Sequence, residues 1–159
     1  IRFGGVDVDD IDTAALLKNV TMVSQTTYLF DETIEENLRI AKPDATRDEL
    51  EAACRMASVH EFILSLPDGY KTRVGALGDN LSAGEKQRIG LARAFLRGSE
   101  WILLDEPTSN VDSINEGIIL KALQAQKGKK SILLVSHRES TMAIADRIYR
   151  VKDGRMTEI

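Results

Sequence analysis

"ILLDEPTSNVD", residues 102–112, decides how this chain folds. The apolar run 101–104 is short and bounded by polar residues, as a buried strand should be. It delivers Asp105 and Glu106 at its carboxyl end, where open α/β sheets place their ligands, and Pro107 stops the strand from continuing. Two adjacent acids at such a position suit nucleotide hydrolysis, because one carboxylate can hold a magnesium shell while the next polarises the attacking water. On this basis Asp105 is assigned to magnesium and Glu106 to the water. A strand that merely ends in solvated acids fits the pair equally well, so other motifs must decide.

Working outward, residues 20–24 (VTMVS) and 131–136 (SILLVS) read as two more buried strands, with 101–104 and 131–136 expected at the centre of a parallel sheet. Between the first two strands, residues 31–98 are patterned as helices and resemble an inserted helical subdomain. Thr46 and Glu49 form a capping-box pair, followed by Leu50, Ala53, Met56, Ala57, Val59, Ile63 and Leu66 near helical spacing. This predicts one helix over 47–66, stopped by Pro67, Asp68 and Gly69. Ser82 and Glu85 open a second capped helix, and Gly98 is its expected C-cap. Asp153 and Gly154 separate residues 147–152 from 155–159 as a two-residue hairpin signal.

Composition narrows the function classes. With 43% hydrophobic and 29% charged residues the chain is neither disordered nor built to span a bilayer, and its apolar runs fall far short of the roughly 18 residues a membrane helix needs. A membrane link is therefore expected to run through another polypeptide. The net charge of -4 argues against a general nucleic-acid binder. Cys54 has no cysteine partner in the chain and reads as a small core residue.

The second piece of chemistry is "LSAGEKQRIGLARAF", residues 81–95. Small residues Ser82, Ala83 and Gly84 at a helix start leave unpaired N–H groups and the positive end of the helix dipole facing outward, which makes an anion site. An ordinary capped helix explains Ser82 and Glu85 but not Gly84, since glycine costs about 1 kcal/mol within a helix. Close approach of a phosphate would account for it.

Together these stretches resemble the signature and Walker B motifs of the ABC ATPases. "VSQTTYLFDETIEENL" resembles the Q-loop region of exporter-type members, and "LLVSHRES" their switch-histidine segment. The resemblance implies an α/β P-loop NTPase-like core with a mostly parallel sheet, formed by residues 1–30 and 99–159, interrupted by a helical signature subdomain over 31–98 and ending in a β-hairpin. It implies that Glu106 and His137 are catalytic, that Asp105 and Gln25 serve Mg2+, and that Gln25 also touches the catalytic water. Ser82, Ala83, Gly84 and Glu85 would contact ATP held by a second ABC ATPase domain, and Asp112 would cross the same interface. The implied partners are that second domain and the transmembrane domain of an ABC transporter, at the cytoplasmic face of the cell membrane. Taken singly, Gln25 reads as a polar strand-end residue, His137 as structural, and His60 as a helix-surface or packing residue.

The chain departs from the family pattern in places. Ala83 stands where glycine is usual, adding a methyl group where backbone meets phosphate. Glu85 replaces glutamine and should repel a γ-phosphate unless the capping box holds it. Ala76 stands where exporters carry a glutamate, so a different contact with the membrane partner is expected there. No glycine-rich loop with lysine and serine or threonine occurs in the chain. Truncation upstream of Ile1 is the expected cause, and the fragment alone is expected to be inactive. A strand and helix bearing that loop should pack centrally against the 101–104 strand, so apolar surface is expected to lie bare without them. Two other functions share part of the pattern. A soluble ABC ATPase of translation or DNA repair would lack the exporter-like "LFDETIEENL", and the interval from Gln25 to Ser82 is too short for a repair-type coiled coil. A non-hydrolysing partner would lend only its signature helix to another subunit's nucleotide.

Overall fold

The first ten residues fold back on themselves. In the computed structural model, which describes all residues 1–159, β1 (Arg2–Phe3) and β2 (Val6–Asp7) pair antiparallel. Gly4 and Gly5 both take positive φ, as a tight two-residue hairpin requires. Phe3 meets Trp101 edge to face at 5.9 Å, which pins this hairpin to the sheet. Asp12 caps α1 (Thr13–Asn19) by accepting from the Ala15 amide at 3.0 Å, and α1 leads into β3 (Val20–Val23).

The helical region opens with α2 (Ile34–Arg39), capped by a Thr33–Glu36 box. The helix expected over 47–66 is two helices, α3 (Arg47–Met56) and α4 (His60–Ser65). Ser58 breaks it at φ 55°, with its amide donating to Arg55 O at 3.0 Å and the Val59 amide to Cys54 O at 2.9 Å. This is a Schellman closure in which serine takes the left-handed place usually held by glycine. The bend keeps Val59 and Ile63 fully buried. Then α5 (Ala83–Arg97) starts at the expected Ser82–Glu85 box and ends at Gly98, whose φ of 77° is the left-handed C-cap.

The remaining elements are β4 (Trp101–Asp105), α6 (Ser113–Gln124), β5 (Ser131–Val135), the single turn α7 (Glu139–Met142), and β6 (Tyr149–Lys152) with β7 (Arg155–Glu158). Asp153 and Gly154 both take positive φ between the last two strands, as the hairpin signal anticipates. The central sheet is parallel in the order β3-β4-β5, with Val23 opposite Leu104 and Leu104 opposite Leu134. Within the chain β4 lies between its two neighbours, and the outer ladder edges of β3 and β5 are unpaired.

Both ladder edges of β4 are already filled by β3 and β5, so no further strand can pair with it. That corrects the expectation of a strand packed centrally beside 101–104: another strand could join only at the outer edge of β3 or β5. One sheet face, carrying Val23, Ile102 and Leu104, is buried in a continuous core with Ile89, Ala92 and Phe95 of α5 and Leu50, Ile63 and Tyr70 beyond. The other face is bare: Met22 is 62% exposed, Leu133 56% and Val135 54%. Parallel sheets are ordinarily covered on both faces. Cys54 is fully buried, which pushes its thiol up to about 11. His60 is buried as well, Nδ1 lying 2.8 Å from the Tyr70 hydroxyl and Nε2 3.0 Å from Arg55 Nη2, so it is a packing residue.

Candidate active site

The parallel register sets Asp105 opposite Val135, so the residues that follow each strand emerge side by side. Glu106 extends the ladder by one bond, its amide donating to Val135 O at 2.9 Å. Its φ of 46° is left-handed, a strained place for a residue with a Cβ, costing on the order of 1 kcal/mol. The side chain emerges beside His137, with Nδ1 to Oε1 at 3.1 Å. An ionised carboxylate only accepts, so the imidazole donates Nδ1–H to Oε1, and Oε2 and Nε2 make no hydrogen bond within the chain. The pair is open to solvent, the histidine side chain at 69% and the glutamate at 32%. It can hold and polarise a water beside a second, polar nitrogen.

A neighbouring cluster holds the histidine segment. Arg138 donates through Nη1 to Glu116 Oε2 and through Nη2 to Ser109 O at 3.2 Å, while the Ser140 hydroxyl donates to Glu116 Oε1. Glu116 is buried on α6. Nothing in its spacing marks it in the sequence, yet it anchors the residue directly after His137.

At the start of α5 the Ser82 amide donates to Glu85 Oε2 at 2.7 Å and the Glu85 amide to Ser82 Oγ at 3.3 Å. The capping box therefore turns the Glu85 carboxylate back onto the chain, which is the condition under which its charge is tolerable near a phosphate. The amides of Ala83 and Gly84 have no hydrogen-bond partner, and these are the donors left for an anion. The reason inferred for Gly84 needs correction. A Cβ at position 84 would lie 2.4 Å from Asn115 Cγ and 2.7 Å from Asn115 Cβ, so the glycine is required by the packing of α5 against α6. No phosphate is needed to explain it.

Asp112 caps α6, accepting from the Ile114 and Asn115 amides at 3.0 Å each and from Asn115 Nδ2 at 2.6 Å. The Asn115 amide, then its side chain, holds this carboxyl below the ordinary carboxylate range. One side chain, Asn115, thus joins the Asp112 cap to the Gly84 contact. Gln25 is exposed beyond β3 and makes no hydrogen bond in the chain. It lines a small cleft with Ala83, Lys86, Gln87, Pro107 and Asn110, so the Gln25 loop, the start of α5 and the segment after Glu106 converge there. Asp105 is exposed at the end of β4, and neither it nor the Glu106–His137 pair lines that cleft.

A parallel sheet with adjacent acids at the end of its central strand, a histidine at the end of the next, and a capped helix start facing the same region defines a P-loop NTPase-like α/β core with inserted helices. Comparison narrows the class: the family model described as ABC transporter matches residues 1–109. The chain belongs to the ABC transporter family. The "Probable ABC transporter ATP-binding/permease protein" of Haemophilus influenzae is 55% identical over 157 residues, covering 99% of this chain and 28% of that protein. The "Multidrug resistance protein pgp-1" of Caenorhabditis elegans is 48% identical over 160 residues, covering 100% of this chain and 12% of that one. A bacterial Atm1-family ABC exporter solved with ATP bound superposes with a TM-score of 0.88 at 35% identity, covering 97% of this chain and 27% of the exporter chain. The chain thus spans less than a third of the length of these relatives. No helix of the chain is long and apolar enough to cross a membrane.

Proposed function

We propose that this chain belongs to the ATP-binding and ATP-hydrolysing domain of an ABC exporter, working at the cytoplasmic face of the cell membrane. The observation that carries the reading is the Glu106–His137 pair at 3.1 Å, placed by adjacent parallel strands at their carboxyl ends. Glu106 takes the proton of the attacking water through its free oxygen. His137 is held by that same carboxylate through Nδ1–H and, when the ring carries both protons, donates Nε2–H toward the γ-phosphate, where charge develops in the transition state. Gln25, on the loop that follows β3, is given the role of contacting that water. Residues 31–98 are read as the helical signature subdomain between the two parts of the core, residues 1–30 and 99–159.

ATP is the proposed substrate. The free amides of Ala83 and Gly84 and the Ser82 hydroxyl suit a phosphate chain presented by a second such domain, and Asp112 lies at the neighbouring α6 cap to meet the same partner. The chain holds no cluster of three or more His, Cys, Asp or Glu side chains able to cage a metal. Magnesium, however, binds through one or two carboxylates plus substrate phosphates and water, and the exposed Asp105 at the end of β4, beside the strand β3 that leads into Gln25, suits that mode. When bound it would neutralise phosphate charge. The membrane-spanning partner is proposed from relatives that are ATP-binding/permease proteins.

ATP hydrolysis by the full-length protein tests the reading, with His137→Ala as the informative variant. Turnover should fall by about 10²-fold or more, the loss typical of removing one transition-state contact. Undiminished turnover would remove His137 from the site.

A further inference from the structure

Gln87 is 4% exposed and lies one turn inside α5, yet its side chain is spent on a different segment. Its Nε2 donates to Ser24 O at 3.1 Å, and its Oε1 accepts from Thr27 Oγ1 at 2.9 Å. These two partners stand on either side of Gln25. A turn further along, Gly90 lets the same loop press onto the helix: a Cβ there would fall 2.4 Å from Thr27 Oγ1. Arg93 then donates to Tyr28 O at 2.7 Å and to Asn37 O and Oδ1 at 2.7 Å, while Asn37 clamps the Phe30 amide and carbonyl at 2.9 Å each. Residues 87, 90 and 93 thus fasten the loop 24–30 along one stripe of α5. Gln25 itself is left free, but the backbone that aims it is not.

The other end of α5 is the capped start at Ser82. We propose that Gln87 is a positioning residue that ties the aim of Gln25 to the position of the α5 N-terminus, so that the two nucleotide contacts of one chain move as one body. The inference rests on the reading of Gln25 and Ser82 as nucleotide contacts. In a pair of such domains Gln25 serves the nucleotide of its own chain and Ser82 that of the partner. Gln87 then links one ATP site to the other through a single helix. Displacement of α5 by the partner's nucleotide is passed to Ser24 and Thr27 by two hydrogen bonds of one side chain, without rearrangement of the core.

The test is steady-state ATP hydrolysis by the full-length protein in wild type, Gln87→Leu, Gln25→Ala and the double variant. Gln87→Leu should lower kcat about tenfold, what two net hydrogen bonds amount to, with KM for ATP changed less than about twofold. In the Gln25→Ala background the same substitution should change kcat by less than about twofold, because its effect passes through Gln25. A merely structural glutamine would act equally in both backgrounds, and that multiplicative result would overturn the proposal. So would an unchanged kcat in Gln87→Leu, or no effect of Gln25→Ala. If Gln87→Leu does not fold, Thr27→Val removes the opposite end of the Oε1 bond at a half-buried site and should show the same dependence on Gln25. A wild-type protein without hydrolysis would fell the functional reading and the proposal together; a wild type that turns over, with multiplicative effects, fells the proposal alone.

Discussion

Gly84→Ala separates two explanations of the glycine in "LSAGE". The added methyl would sit 2.4 Å from Asn115 Cγ and 2.7 Å from both Asn115 Cβ and Oδ1. Contact with Cβ means that rotating the side chain cannot relieve it. Asn115 is also held in place, its Nδ2 and its amide both bonded to Asp112. Overpacking of this kind costs about 1–3 kcal/mol, contacts of 2.4–2.7 Å put it in the upper half of that range, and the gain in helix propensity over glycine returns about 1 kcal/mol, so a net loss of about 1–2 kcal/mol is expected. At roughly 2–4 °C per kcal/mol for a domain of this size, the thermal midpoint should drop by about 2–8 °C. Scanning fluorimetry of the nucleotide-free full-length protein reads this shift. Asn115→Ala should reduce the penalty in the double variant, leaving a coupling between positions 84 and 115 of about 0.5 kcal/mol or more. An unchanged or raised midpoint, with ATP hydrolysis nonetheless impaired, would refute the packing argument and return Gly84 to the nucleotide.

Further perturbations address the supports of the site. Glu116→Ala should strip Arg138 and Ser140 of their shared acceptor, lower stability by about 1–3 kcal/mol and slow hydrolysis with it; full activity at lowered stability would dissociate Glu116 from His137. The Asp112 carboxyl is held below its ordinary value of 3.8, so its contribution to stability is complete above that value and is lost as pH falls through the lower folded one. Denaturation midpoints of wild type and Asp112→Asn should therefore converge at the acid end, and a constant difference down to pH 3 would contradict the cap. The 159-residue chain alone, with Met22, Leu133 and Val135 bare on one sheet face, should self-associate at micromolar concentration in sedimentation, whereas a monomer with a cooperative thermal transition would count against exposure of that face.

Much of this arrangement is legible in the chain because local rules carry it. Ser82, Glu85 and Gly98 mark both ends of α5, Asp153–Gly154 marks the final hairpin, and the apolar runs ending in Asp105 and Ser136 mark the strands whose parallel register brings Glu106 and His137 together. What escapes sequence reading is set by contacts between distant segments. The break at Ser58 is invisible because serine replaces glycine in the closure, and the apolar spacing runs on across it. Strand order is a pairing choice among runs of similar composition, so the place of β4 between β3 and β5 has no local signal. Gly84 and Gly90 look like helix weaknesses until Asn115 and Thr27 occupy the space above them. Gln87 lies inside the very motif that identifies the family, yet its partners, Ser24 and Thr27, are some sixty residues away.

Phosphate release from ATP by the full-length protein, measured beside Glu106→Gln with nucleotide binding recorded in both, is the most direct measurement of the role given to the β4–β5 edge. The glutamine keeps the shape and can still accept from His137 Nδ1–H, but it cannot take up a proton from water. Retained ATP binding with phosphate release reduced by about 10²-fold or more is the expected result. Release at the wild-type rate from a variant that still binds ATP would contradict it.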